Sequence, residues 1–171
     1  MIMQDHGMLE NILQHSIMVC NVALSIGKSI NKNGGTLNLS LIEGAALLHD
    51  ITKTRSLTTG ENHAESGKQL LQELGFHQIA HIVGEHIIPG IYDGNLSEAE
   101  IVSYADKRVL HDQLVSLEER FRYLFKRYGR TDAAIGRIGA MEKHMHKIEE
   151  KINTCTTGLN WSLKNPLLTN A

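Results

Sequence analysis

The chain has 171 residues, 42% of them hydrophobic, with 17 basic and 19 acidic side chains and a formal net charge of -2. That length suits one domain around one core, and the charge balance excludes a global attraction to nucleic acid polymer or to an anionic membrane, so phosphate recognition must be local. No apolar run approaches the roughly 18 residues of a membrane span and no basic start precedes an apolar stretch, so a soluble cytoplasmic protein is expected. Cys20 and Cys155 have neither metal-site nor redox-motif spacing and read as free thiols. Ten histidines are the outlying figure.

Residues 8–30 place Ile12, Val19, Val22, Ala23 and Ile26 on one helical stripe, with His15 on the same stripe and Gly34-Gly35 ending the connection. A second helix is expected from Asn38 or Ser40 as N-cap through Ile42, Ala45, Ala46 and His49. Leu47-Leu48-His49-Asp50 therefore ends an apolar run with an imidazole and a carboxylate side by side. Thr52 to Gly60 is polar, hydroxyl-rich and aperiodic, and reads as a surface loop beside that pair. A third helix, about 61–74, has His63 in its first turn, Gly67, Leu70, Leu71 and Leu74 on its stripe, and Gly75 as C-terminal cap. A fourth, about 77–88, carries Ile79, Ile82, Val83 and His86 and stops at Pro89-Gly90.

Ser97-Glu98-Ala99-Glu100 is a capping box opening a helix with Ile101, Val102, Ala105 and Val109 inward and Asp106 among them. Ser116-Leu117-Glu118-Glu119 opens another, with Leu117, Phe121, Leu124, Phe125 and Tyr128 inward and Gly129 at its end. The last long helix, roughly 131–154, sets Ala134, Ile138, Met141, Met145, Ile148 and Ile152 in steps of four and three. That narrow seam suits either a partner helix, as in a homodimer, or the chain's own domain. Leu159 to Leu168, around Trp161, is apolar enough to dock. With no strand-like alternation, the expected architecture is all-α: a single helical bundle of about 6–7 helices over residues 1–130, the C-terminal helix over 131–154, and a tail over 155–171.

One histidine on an apolar stripe is ordinarily a hydrogen-bonded core residue. Here His15, His49, Asp50, His63, His86 and Asp106 come from five helices, and most lie on or beside a buried face. Burying unpaired carboxylates costs several kcal/mol unless something compensates, and a divalent metal is the economical compensation. Four imidazoles and two carboxylates are enough for a two-metal site, in which one carboxylate can bridge. His77 and His81 form an i, i+4 pair off the apolar stripe, His144 and His146 share that weakness, and His6 and His111 have no partner by spacing. These six read as non-ligands.

His15, then His49-Asp50, then Asp106 resemble the H…HD…D signature of the HD-domain metal-dependent phosphohydrolases, an all-helical superfamily, over about residues 8–128. His63, in His63-Ala64-Glu65-Ser66-Gly67, and His86 are similar to the extra histidines of members that hold two metals, and Val115 to Phe121 resembles a stretch of an HDIG-type subgroup. Ile51-Thr52 stands where that subgroup has Ile-Gly. The resemblance implies one divalent ion on His15, His49, Asp50 and Asp106 and a second on His63, His86 and a bridging Asp50. Iron or manganese comes first, with zinc, nickel, cobalt or magnesium as alternatives. It also implies hydrolysis of a small phosphorylated compound, a nucleotide foremost, by a water that the metals acidify.

Lys53 completes a His-Asp-x-x-Lys pattern and, with Asp50, is the candidate catalytic residue, as a movable charge for a substrate phosphate. Lys107, Arg108 and Arg120 are candidates for a basic substrate-binding rim, against the plainer reading of a solvated helix face. The residues after His86 lack the motif of cyclic-di-nucleotide phosphodiesterases of the HD type. Two other readings stay open on the ligand set alone: a mixed-valence di-iron oxygenase, and a regulatory module with a vestigial site.

Overall fold

The computed structural model describes residues 2–90, 94–156 and 161. Its helices are α1 (Ile2–Asp5), α2 (Glu10–Lys32), α3 (Leu39–Leu48), α4 (Lys53–Thr59), α5 (His63–Glu73), α6 (His77–Glu85), α7 (Glu98–Lys107), α8 (Leu117–Tyr128) and α9 (Asp132–Cys155). A two-residue ladder, β1 (Val109–Leu110) with β2 (Gln113–Leu114), links α7 to α8.

Local chemistry places most of these boundaries. Asn38 accepts from the Leu41 amide and Asn62 from the Ala64 amide, so both caps satisfy donors that the first helical turn leaves orphaned. Ser97 with Glu100 and Ser116 with Glu119 close the two capping boxes reciprocally. Gly75 ends the α5 segment at φ 83°, a conformation a side chain would strain.

α2 is the axis of the bundle: it packs on α3, α7, α9 and the ladder, while α5 pairs with α6. Its stripe of Val19, Val22, Ala23 and Ile26 joins Ile42, Ala45 and Ala46 of α3, Ile101 and Val102 of α7, and Phe121 of α8 in the main core. A smaller cluster gathers Ile12, Leu48, Ile51, Leu71 and Val83. The end of α3 passes from the first cluster to the second, and His49-Asp50 sits at the junction. Gly67 matters here: a Cβ at that position would lie 3.2 Å from Val83 Cγ1, so its absence lets α5 approach α6 closely. That approach brings the ends carrying His63 and His86 together.

The structure departs from the sequence reading at several places. Residues 53–59 are helical rather than a loop. The α4 segment buries no side chain, so it has no apolar stripe to betray it; Gly60 at φ 73° closes it by donating its amide to the Ser56 carbonyl. The ladder is too short for alternation to register. Tyr128 is exposed instead of inward. The α9 seam is used within the chain: Ile138, Met145, Ile148 and Ile152 are buried in the main core, each contributing about 1.5–3 kcal/mol by leaving water. Of the tail, Cys155, Thr156 and Trp161 fall among the described residues: Cys155 is exposed, Thr156 and Trp161 are buried, and the rest of the Leu159 to Leu168 stretch lies outside them. No described helix is long and apolar enough to cross a membrane.

Candidate metal centre

Six side chains predicted from the sequence converge. His15 projects from the middle of α2, His49 caps the end of α3 with Asp50 next to it, His63 starts α5, His86 caps the end of α6, and Asp106 lies in the last turn of α7. They form two groups, His15–His49–Asp106 and Asp50–His63–His86, each offering ligand atoms within 4.8 Å of one another. Asp50 joins the groups. Its Oδ2 lies 3.6 Å from His49 Nε2, and its Oδ1 lies 3.1 Å from His63 Nε2 and 3.9 Å from His86 Nε2.

Helix ends orient the rings. The last carbonyls of a helix lack intrahelical partners. His49 Nδ1 donates to the Ala46 carbonyl at 2.8 Å and His86 Nδ1 to the Val83 carbonyl at 2.7 Å, the same three-residue step at two helix ends. His15 Nδ1 donates to the His111 carbonyl at 2.7 Å. A carbonyl can only accept, so all three rings carry a proton on Nδ1; in His49 and His86 the Nε2 lone pair faces the centre, while His15 Nε2 donates to Asp106 Oδ1 at 3.0 Å. A second layer holds His63, where the Thr52 hydroxyl donates to its carbonyl at 2.8 Å and accepts from Ser66 at 3.0 Å.

These lone pairs give a test of fit for a metal. His49 Nε2 is buried with no hydrogen-bond partner and faces two carboxylates, Asp50 Oδ2 and, at 3.8 Å, Asp106 Oδ1. A lone pair aimed at carboxylate oxygens is repulsive unless a cation stands between them. His86 Nε2 and His63 Nε2 approach to 3.2 Å in the second group. Neutral imidazole nitrogens and ionised carboxylate oxygens are the donor set of a divalent transition metal. The residues fit.

Electrostatics keep His49, His86 and the two carboxylates in the ligating form and pull His15 the other way. Burial lowers His49 and carries His86 down to about 3, so both stay neutral. Burial would raise Asp50, but His49, the His63 hydrogen bond and Lys53 outweigh it and hold the carboxyl below its ordinary range. Asp106 is held well below its ordinary value against burial by Lys107, His15 and His49. His15 moves up: burial opposes protonation, but its bond to Asp106 at 3.0 Å and the two nearby carboxylates prevail.

A cleft of about 370 Å³ opens on both groups. Lys53 lines it, with Nζ 3.2 Å from His63 Nε2 and 3.9 Å from Asp50 Oδ1. Lys107 also lines it, with Nζ 2.5 Å from Asp106 Oδ2. Arg120 forms part of the wall. Arg108 does not belong to the rim. It is fully buried, donating to the Val115 carbonyl and the Tyr104 hydroxyl at 2.7 Å each and to the Trp161 carbonyl, with Glu149 at 3.8 Å. Tyr104 lies one turn back on α7 and Val115 seven residues on, but Glu149 and Trp161, the latter 53 residues away, are revealed by no local spacing.

The six histidines set aside by sequence stay outside both groups as ring ligands. His111 nonetheless serves the centre through its carbonyl, at a hairpin turn with φ 58°. Its only sequence signal is a polar pair between short apolar stretches.

Comparison with known proteins gives one family. The family model described as HD domain matches residues 12–109, a span containing all six convergent side chains. A protein of Methanocaldococcus jannaschii described as uncharacterized is 29% identical over 144 residues, covering 75% of this chain and 84% of that protein. No solved structure matches the chain at a significant level.

Proposed function

Because the chain belongs to the HD domain family, we propose that it is a metal-dependent phosphohydrolase acting on a small phosphorylated compound, a nucleotide foremost. The observation that carries this reading is the shared carboxylate: one oxygen of Asp50 faces His49 and the other faces His63 and His86. Two ligand groups joined by one side chain suit a two-metal site for in-line displacement at phosphorus. Bound divalent ions, iron or manganese first, would supply acidification of a water and neutralisation of phosphoryl charge.

The chain's own residues do the rest. His15, His49 and Asp106 would hold one ion, His63 and His86 the other, with Asp50 available to both. Backbone carbonyls at Ala46, Val83 and His111 keep the imidazoles from turning. Lys107 occupies Oδ2 of Asp106 and so reserves Oδ1 for the centre. Lys53 is one third exposed and reaches His63 and Asp50 from the cleft side, so its ammonium can turn to a phosphoryl oxygen without leaving the wall. The cleft lining contains no serine or cysteine among the described residues, which favours water as the attacking group.

The test is metal content of the purified protein followed by phosphate release from a panel of nucleotides, in air and under anaerobic conditions. Phosphate release without oxygen, dependent on added manganese or iron, supports the reading. Substrate-dependent oxygen uptake without phosphate release replaces it by the oxygenase. A protein that holds no metal and gains no thermal stability from manganese, iron or nickel overturns both, because a ligand of the native state must stabilise it.

A further inference from the structure

Arg120 is a cation without a counter-ion. Arg55 pairs with Glu61 at 2.6 Å, Arg122 with Glu118 at 2.6 Å, and Arg108 with its buried network, while Arg127, Arg130 and Arg137 stand at exposed positions where water serves them. Among the described residues Arg120 has no carboxylate partner, and its Nε is buried without a hydrogen bond. A buried guanidinium N–H is costly to leave without an acceptor.

Its surroundings fix it in place. The guanidinium carbon lies 5.9 Å from the Tyr123 ring centroid, and the Tyr123 ring stands edge-on to His111, centroids 6.0 Å apart. The His111 carbonyl in turn holds His15. Arg120 is thus tied to the His–Asp centre through two side chains. The cleft it lines also has apolar wall residues, Leu57, Leu110, Leu124, Tyr128 and Met141, and partial exclusion of water strengthens an ion pair. Lys53 and Lys107 line the cleft beside the centre, where a phosphoryl group would meet them first.

We propose that Arg120, held against Tyr123, is a substrate-binding residue that pairs with a second anionic group, distinct from the phosphoryl group at the centre, and so selects compounds carrying two phosphoryl groups over those carrying one. The inference rests on the phosphohydrolase reading of the centre. In the test, adenosine 5′-phosphate and adenosine 3′,5′-bisphosphate are titrated calorimetrically into manganese-loaded protein, wild type, Arg120→Gln and Arg120→Lys, with phosphate release followed in parallel. Wild type should bind the bisphosphate about tenfold or more tightly than the monophosphate, the worth of one charged hydrogen-bonded pair. Arg120→Gln should bring the ratio close to one while leaving monophosphate affinity within about threefold, and Arg120→Lys should restore part of it, since lysine keeps the charge but not the planar fork. Melting temperature should stay within about 2 °C of wild type, because no protein contact of strength is lost. Equal wild-type affinities, an equal loss of both nucleotides in Arg120→Gln, or no binding of either overturns the proposal. Selective binding without phosphate release would remove the phosphohydrolase reading and leave Arg120 in its role, whereas phosphate release indifferent to Arg120 would remove the inference alone.

Discussion

Replacing Asp50 by asparagine tests the central assignment with the least disturbance of shape. The amide keeps the volume of a residue that is almost wholly buried, and its NH2 can donate to His49 Nε2 or His63 Nε2, now 3.6 Å and 3.1 Å from the carboxylate oxygens. What it removes is the one charged ligand common to both groups. With metal at about 100 times its dissociation constant, each site stabilises the fold by about 2.7 kcal/mol. At roughly 2–4 °C per kcal/mol for a domain of this size, that is roughly 5–11 °C per site. Removing even an outer-shell partner costs 10–100-fold in affinity, so loss of a ligand should cost at least about 100-fold. The remaining stabilisation is then about 0.4 kcal/mol per site, or 1–2 °C. The assay is thermal melting of wild type and Asp50→Asn, each metal-free and with manganese, beside a metal count. His77→Ala, altered at an exposed position outside both groups, serves as control. An Asp50→Asn protein that keeps its metal and its full thermal gain would refute the shared-carboxylate argument.

Arg108→Leu should be a folding variant: it removes the donor of the Val115 carbonyl and leaves buried Glu149 and the Trp161 carbonyl to share the Tyr104 hydroxyl, at about 3–5 kcal/mol, and should lower the melting temperature by about 10 °C while the refolded fraction keeps its metal count. Unchanged stability with weakened substrate binding would return Arg108 to the rim. Lys53→Met should retain metal and melt within a few degrees of wild type, since its side chain is one third exposed, yet lose about tenfold or more in kcat/KM; loss of metal instead would show that it shapes the centre. For the metal-free protein the sign of the pH dependence follows from the groups themselves. His86 is held down to about 3 by burial and His49 is also lowered, so below about pH 6.5 the unfolded chain binds more protons and stability falls with pH. Asp50 and Asp106, lowered by their cationic neighbours against burial, add a further loss on acidification through the carboxylate range. His15, raised, opposes this with a contribution that is present at low pH and fades as pH rises through its folded value. The net expectation is a urea midpoint that declines from pH 7 to pH 4, and a flat or rising profile would contradict it.

The six-residue constellation was legible because each member interrupts an apolar stripe with a group that cannot be buried alone, and stripes are written in local spacing. The same spacing misjudged α4, which buries nothing and so leaves no stripe, and Tyr128, whose position in the periodic pattern of α8 coincides with the open edge of the cleft. It left the α9 seam ambiguous, because a strip of Ile and Met is as complementary to α2, α7 and α8 as to a second copy. Arg108 and Arg120 look alike in sequence, each a basic residue near a capping box. One is enclosed by Tyr104, Glu149 and Trp161, and the other is left at the cleft wall with Tyr123.

The sequence by itself determined the helical class, the caps, the inward stripes and the six candidate ligands, since these depend on contacts within a few residues. Only the tertiary structure decided which ligand atoms meet. His15 and Asp106 are 91 residues apart, and their 3.0 Å contact depends on how α2 and α7 rotate against each other, which neither helix records in its own periodicity. The same holds for the His111 carbonyl, which reaches His15 only because a two-residue ladder turns the backbone through a left-handed conformation beside α2.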